Sequence, residues 1–247
     1  GAIVGKLNKA DAYTYIRNRA TNGFNTLIID VLAADGTGGN VNGALLDGTK
    51  PFTSGTGPGN YNLATTNETY FDHIDWLVNT CATNGILVFL DPMETISWLT
   101  QAQNSGSNAC FTYGQWLGTR YQNYTNVLWW HGNDFQTWST AADDDVILAI
   151  AYGIKNKATN HLHTLLLDYF TSQSLEDPRW WPILSLNNVY SYYVTYHETL
   201  KAYNRTNGIP AFFGEGHYEF EEIVGNQGDP NTQRRQMYWA LLSGACG

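Results

Sequence analysis

The chain is short of cysteine, of positive charge and of long apolar runs, and each shortage removes a class of function. Its three cysteines, Cys81, Cys110 and Cys246, form no CxxC pair and leave an odd count. That argues against a zinc or redox cluster and allows at most one disulfide. Lys and Arg number 13 against 22 Asp and Glu, a net charge of -9. The basic surface that a nucleic-acid backbone demands is therefore missing. No apolar run approaches the roughly 20 residues needed to span a bilayer. No signal peptide is visible, and a cleaved one would leave no trace. No glycine-rich phosphate turn follows an early strand, so a dinucleotide fold has no support. What is present is a 43% hydrophobic, 14% charged composition, enough for a sizeable core and incompatible with disorder. Aromatic residues reach 14%, with nine Trp and 16 Tyr. Most must fill the core, and a few flat rings are available to stack on sugar faces.

With 247 residues the chain has room for one or two domains, and one (β/α)-type barrel uses this length. Helical and extended patterns alternate from end to end. Helices are expected at 9–21 with Asn8 as cap, 67–83, 109–124, 142–156, 175–180, 193–204 and 232–242. Buried strands are expected at 24–33, 86–90, 127–130, 163–167, 183–186 and 209–213. Six strands alternating with helices argue for an α/β fold with a parallel sheet. The segment 34–66, rich in Gly, Asn and Thr, is long for a loop and lid-like. A closed barrel of eight units would need one more strand at each end. Ala2-Ile3-Val4 could be the tail of the first, and the last is absent. The expectation is a single TIM-type barrel domain over 1–247, incomplete at its first and last strands and part of a longer chain. An open edge of that kind is covered either by the chain ends themselves, around 2–4 and 242–247, or by a second copy in an oligomer.

In a parallel barrel the C-terminal strand ends carry the chemistry. Those ends hold Asp30, Asp91 with Glu94, His131 with Asn133 and Asp134, Asp168 with Tyr169, Asn187 to Tyr190, and Glu215 with His217 and Glu219. Acids are costly to bury unless paired or functional, so their convergence is informative where one alone would be an N-cap. Two segments stand out, WWHGND (129–134) and FFGEGHYE (212–219). Each is an apolar strand broken by glycine that presents a carboxylate. Glycosidic cleavage needs two such groups, one protonated to assist the leaving oxygen and one acting as nucleophile or base.

These stretches, together with RNRATNGFNTLIIDVL (17–32), YFDHIDWLVNTCATNGILVFLDP (70–92), YGQWLGTRYQNYTNVLWWHGNDF (113–135) and RRQMYWALLSGACG (234–247), resemble the apiosidase-like glycoside hydrolases. The resemblance implies a (β/α)8 fold and retaining hydrolysis of plant cell-wall polysaccharide or oligosaccharide. It implies Asp134 as acid/base and Glu215 as nucleophile, no cofactor and no metal, and a secreted or periplasmic location. The fourth strand of related barrels carries Asn-Glu where this chain has Asn133-Asp134, and Glu219 stands as a rival to Glu215. A non-catalytic carbohydrate-binding barrel or an inactive fragment remains the alternative, and an inverting hydrolase is the rival within the class.

Around the two acids the expected substrate-binding residues are Asp30, Asp91, Trp98, Trp130, His131, Asn133, Asp168, Tyr169, Asn188, Tyr190, His217 and Glu219. Asn, Asp and Tyr supply the acceptors, donors and faces that sugar hydroxyls need. Trp98 would wall the cleft from the loop after Asp91. Asp134 should hold its proton, through burial among Trp129, Trp130 and Phe135 and repulsion from Glu215. The pair His161 and His163 shares a strand face in the manner of metal ligands, but no third ligand stands at a supporting spacing.

Overall fold

The computed structural model describes residues 1–135, 140–171, 173–205, 208–223 and 226–247. They pack as two compact units, one of residues 1–132 and 139–161, the other of 133–138 and 162–247.

The first unit opens with a single helical turn, Ala2–Gly5 (α1), where the tail of a strand was expected. The helix Lys9–Thr21 (α2) follows, its first turn satisfied by Asn8, whose Oδ1 accepts from the Asp11 N–H at 2.9 Å. Strand Thr26–Asp30 (β1), helix Glu68–Thr83 (α3) capped by Asn67, and strand Leu87–Asp91 (β2) complete one cycle. β1 and β2 run parallel, with Asp30 beside Asp91 at their C-terminal ends. Strand Val127–Phe135 (β3) joins the other edge of β2 in parallel, Leu90 opposite Trp129, and continues into the second unit.

Helix Thr95–Tyr121 (α4) begins well before the expected start at Ala109. Glu94 caps it, its Oε2 accepting from the Ser97 N–H at 2.9 Å. The sequence reads as a break because Gly106 stands in the middle between serines. Gly106 is indeed left-handed (φ 77°), a kink after which the helix resumes. Helix Ala141–Lys157 (α5) lies so close to α4 that a Cβ at Gly114 would meet the Ile150 carbonyl at 2.2 Å. A Cβ at Gly153 would meet the Phe111 carbonyl at 2.2 Å. Arg120 near the end of α4 ties the helix to α3 through Glu68, Asp72 and Asp75.

In the second unit strand His163–Leu167 (β4) is entirely buried. Two 310 turns, Ser174–Glu176 and Pro178–Trp180, occupy the place of the expected short helix. The next strand is Asn187–Tyr190 (β5), later than the expected 183–186. Ile183–Leu186 carry the apolar signal, but the ladder starts only at Asn187. The polar Asn187 is tolerated there because its Oδ1 accepts from the Leu175 N–H at 3.1 Å. Helix Thr195–Tyr203 (α6) leads to strand Ala211–Glu215 (β6), which pairs with β5 in parallel. A two-residue ribbon, Glu222–Ile223 (β7) and Asn226–Gln227 (β8), precedes helix Pro230–Leu242 (α7), capped by Asp229. Small residues, Ala202, Ala211, Ala240 and Ala245, pack with Val189 and Phe213 and bring α6 and α7 close to the strands. The last residues run along β6: Cys246 N–H donates to Ala211 O at 2.7 Å, and Phe213 N–H to Gly247 O at 2.9 Å. The three cysteines are free.

Candidate active site

The second unit brings Asp134 and Glu215 into electrostatic reach of each other. β3 reaches Asp134 through a backbone that an ordinary strand lacks. Gly132 has φ 72° and Asp134 itself φ 48°, one of two left-handed non-glycine residues among those described. Such conformations cost on the order of 1–3 kcal/mol and collect at functional sites. On β6, Glu215 follows Gly214. The β5–β6 register is regular up to Val189 opposite Phe213, then slips so that Tyr190 faces Glu215. The irregularity turns Tyr190 toward the acids, a common use of bulges beside active sites.

Tyr190 lies in hydrogen-bonding reach of both the Asp134 and the Glu215 carboxyl groups, and its hydroxyl also donates to Tyr192 Oη at 3.1 Å. One phenolic proton thus faces three acceptors. Tyr218 Oη donates to Glu215 Oε1. Behind them Glu221 accepts from the Tyr218 N–H at 3.0 Å and from Tyr192 Oη at 3.5 Å. Tyr169 packs edge-on to Tyr190 and Tyr192, with ring centroids 5.9 and 5.0 Å away, and lies against Phe170 at 4.1 Å.

Both acids are harder to ionise than free carboxylic acids. Asp134 is raised first by burial and then by the charge of Asp168, against a hydrogen bond from Tyr190. Glu215 is pushed up to about 7, again first by burial, with Asp134 and Glu221 adding repulsion against the hydrogen bonds from Tyr218 and Tyr190. The expected rise at Asp134 is present, but the charge that adds to burial is that of Asp168 and not of Glu215, and the larger rise stands on Glu215. Two neighbouring acids, one of which keeps its proton toward neutral pH, are the kind of pair that glycosidic cleavage uses.

Of the other expected residues in this unit, Tyr169 and Tyr190 line the pair. Asp168 folds its own turn, accepting from Thr171 N–H and Oγ1 at 3.1 Å each, and Asn133 precedes Asp134 on β3. Asn188 is buried, its N–H donating to Ser174 Oγ at 2.8 Å, while its side-chain amide has no protein partner among the described residues. His217 is buried against Tyr192 at 5.1 Å, with its N–H bound to Gln236 Oε1 at 3.0 Å. Glu219 is exposed and makes none of the contacts that hold Glu215. Tyr192, Tyr218 and Glu221 belong to the network and were not among the expected residues. The recurrence of a polar side chain at 215, 218 and 221 is the one signal that could have pointed to the last two.

In the first unit the expected residues are interior groups. Trp98, expected to wall a cleft, is fully buried and stacked on Tyr61 at 5.7 Å among Phe52 and Tyr113. A ring with no exposed face cannot serve as a platform, and the long loop it holds down explains its place. Trp130 is buried edge-on to Phe89, and His131 is buried with it. Burial holds the His131 imidazolium at about 3, so its ring is neutral. Asp30 and Asp91 are buried, and burial together with the Asp30 charge keeps Asp91 well above the carboxylate range. Asp91 Oδ1 accepts from the Met93 N–H at 3.1 Å, a turn-forming contact. His161 accepts at Nδ1 from the Trp129 indole at 3.1 Å. Among the described residues no cluster of His, Cys, Asp and Glu is arranged to hold a metal, and no helix is long and apolar enough to cross a membrane.

Structures of low sequence identity share this fold. A glycoside hydrolase family 5 protein from Bacteroides vulgatus aligns over 100% of this chain and 55% of its own, with TM-score 0.81 and 18% identity. A second structure described as a glycoside hydrolase aligns over 100% and 58%, with TM-score 0.79 and 21% identity. The endoglucanase Cel5A of Thermotoga maritima aligns over 94% and 78%, with TM-score 0.60 and 11% identity. The chain thus spans little more than half the length of the first two. Among curated proteins nothing matches. The fold is the parallel-strand α/β architecture of these glycoside hydrolase structures. The family model described as apiosidase-like, catalytic domain, matches residues 2–247, and the chain belongs to that family.

Proposed function

We propose that this chain is the catalytic part of a retaining glycosidase that cleaves plant cell-wall polysaccharide or oligosaccharide outside the cell or in the periplasm. Asp134 acts as acid/base and Glu215 as nucleophile. The observation that carries the reading is the pair itself: two acids on separate glycine-broken strand ends, joined through Tyr190, with both ionisations held back. In the first step a Glu215 oxygen bonds to the anomeric carbon as the glycosidic C–O bond breaks, and the Asp134 proton passes to the leaving oxygen. In the second, Asp134 takes a proton from water, whose oxygen attacks the same carbon and releases Glu215. The hydrogen bonds from Tyr218 and Tyr190 favour an ionised Glu215 and fix its direction. In the empty site the shared proton favours Glu215. Positive charge developing on the sugar ring draws it toward Asp134.

The larger rise on Glu215 favours one second reading, in which Glu215 is the acid and Asp134 the nucleophile. Small nucleophiles separate the two. On an aryl glycoside with a good leaving group, azide should restore turnover to Glu215→Gly as a glycosyl azide of inverted configuration. Asp134→Gly should keep kcat/KM on that substrate but accumulate the glycosyl-enzyme, which azide should release as a glycosyl azide of retained configuration, and should lose activity on natural glycans. The opposite pattern exchanges the roles, and wild-type turnover in both variants removes the pair from catalysis. NMR of the first-formed product should show the anomeric configuration retained.

A further inference from the structure

The turn after Glu215 holds a cavity that the catalytic pair does not use. It measures about 340 Å3 and is lined by Glu219, Phe220, Glu222, Gly228, Asp229 and Pro230. That is the lower end of the roughly 300–1,000 Å3 of small-molecule sites. Phe220 is 99% exposed and has φ 67°. For a bulky residue this is a true outlier, and exposure gives the ring no packing in return. Backbone bonds hold it there: Phe220 N–H donates to Gly228 O at 3.1 Å and Gly228 N–H to Glu221 O at 2.6 Å. A Cβ at Gly228 would come within 1.6 Å of the Tyr218 carbonyl, so the turn closes only around glycine. The same short turn carries Tyr218, whose hydroxyl binds Glu215, and Glu221, which holds the Tyr218 N–H. The exposed ring is therefore tied through one turn to the reacting carboxylate.

We infer that this turn is a substrate subsite, with Phe220 the platform for a neutral sugar ring beyond the cleaved bond and Glu219 and Glu222 the acceptors for its hydroxyls. The inference rests on the catalytic reading of Glu215 and deepens it. An apolar ring presented to water suits the C–H face of a pyranose, and carboxylates at its rim suit the hydroxyl edge. The same carboxylates repel a uronate. Asp229 is already committed as the cap of α7, its Oδ1 accepting from the Thr232 N–H at 2.7 Å, so it adds charge without offering that oxygen. The subsite thus selects by charge as well as shape.

The test uses the whole chain carrying Glu215→Gln, so that bound glycans persist. The probes are cellotetraose, xylotetraose, mannotetraose and tetragalacturonate, with Kd measured by ligand-observed NMR. Phe220→Ala should weaken at least one neutral tetrasaccharide by about tenfold, and Phe220→Trp should restore it. Tetragalacturonate should bind the parent more weakly than that neutral probe, and Glu219→Gln with Glu222→Gln should close the gap. Phe220→Gly, which accepts the positive φ, should melt no lower than the parent, separating lost contact from lost fold. The inference is overturned if Phe220→Ala weakens no neutral tetrasaccharide, whether all bind equally or none binds. It is also overturned if tetragalacturonate binds the parent as tightly as the neutral probes. Failure of the catalytic reading would appear separately, as undiminished hydrolysis in the Asp134 and Glu215 variants.

Discussion

The charge of Asp134 is among the groups that raise Glu215, so a pH profile of activity reads Glu215 in the presence of its neighbour. In the mechanism proposed above the working form of the pair carries one proton. With Glu215 pushed up to about 7, that proton is lost as pH rises through neutrality, and kcat/KM should fall along a limb near pH 7. The Tyr218 hydrogen bond favours the charged carboxylate, so Tyr218→Phe should move this limb to higher pH. A limb that stays in place would mean that Tyr218 does not act on Glu215. The same shift has a stability counterpart. A carboxyl group with a raised folded pKa stabilises the fold below its unfolded value of 4.5, and that contribution is lost as pH rises toward 7. Glu215→Gln should therefore raise the melting temperature at pH 8 more than at pH 5, by roughly 2–4 °C for each kcal/mol recovered. That Asp134 and Glu215 approach each other was legible in the sequence because each closes an apolar strand broken by glycine. Their partners were not: Tyr218 and Glu221 resemble any loop residues, and the slip that aims Tyr190 lies in the hydrogen-bond register, which single residues do not encode. The tryptophans misled in the other direction, since a ring that fills a core and a ring that holds a sugar are the same residue in sequence.

Among the elements, legibility followed local punctuation. α2 and α3 begin at Asn caps and end before Asn-Gly, and the structure places them where those signals stand. β4 is a short buried run of apolar residues and was also read correctly. α4 was cut short because a left-handed glycine inside a helix looks like its end, and β5 was placed too early because its ladder residues are asparagines held by a distant turn. The contact of α4 with α5 depends on glycines for a different reason, close backbone approach. Gly114→Ala forces its methyl group against the Ile150 carbonyl and should destabilise by about 1–3 kcal/mol, measured by denaturant midpoint. An unchanged midpoint would mean that the helices separate freely. Made in the unit that does not carry the two acids, the substitution should leave the pH limb near 7 in place.

At the scale of the molecule the dominant fact is charge. A net of -9 on 247 residues sets a negative field against any polyanion. Binding of uronate-rich polysaccharide should strengthen as salt is raised from about 0.01 to 0.15 M, because the Debye length shrinks from roughly 30 to 8 Å. Binding of a neutral glycan should barely respond. Equal salt dependence for both would show that the field does not reach the sugar. Fold class was the most legible property of all, because the alternation of periods recurs along the whole chain and no single misread boundary can erase it.

The backbone at Asp134 also bears on how this enzyme can change. A left-handed residue is tolerated by Asp and Asn far better than by longer side chains, because the short polar groups of Asp and Asn can hydrogen-bond the local backbone. The shorter acid is thus chosen by the turn that carries it. Mutation to glutamate, which looks like a step toward the commoner arrangement, has to remake the turn as well as lengthen the side chain. Asp134→Glu should therefore lose activity by about a hundredfold rather than shift specificity. A second substitution that lets the backbone return to an extended path should recover part of it. On this turn aspartate and glutamate are separate solutions, joined by two changes rather than one.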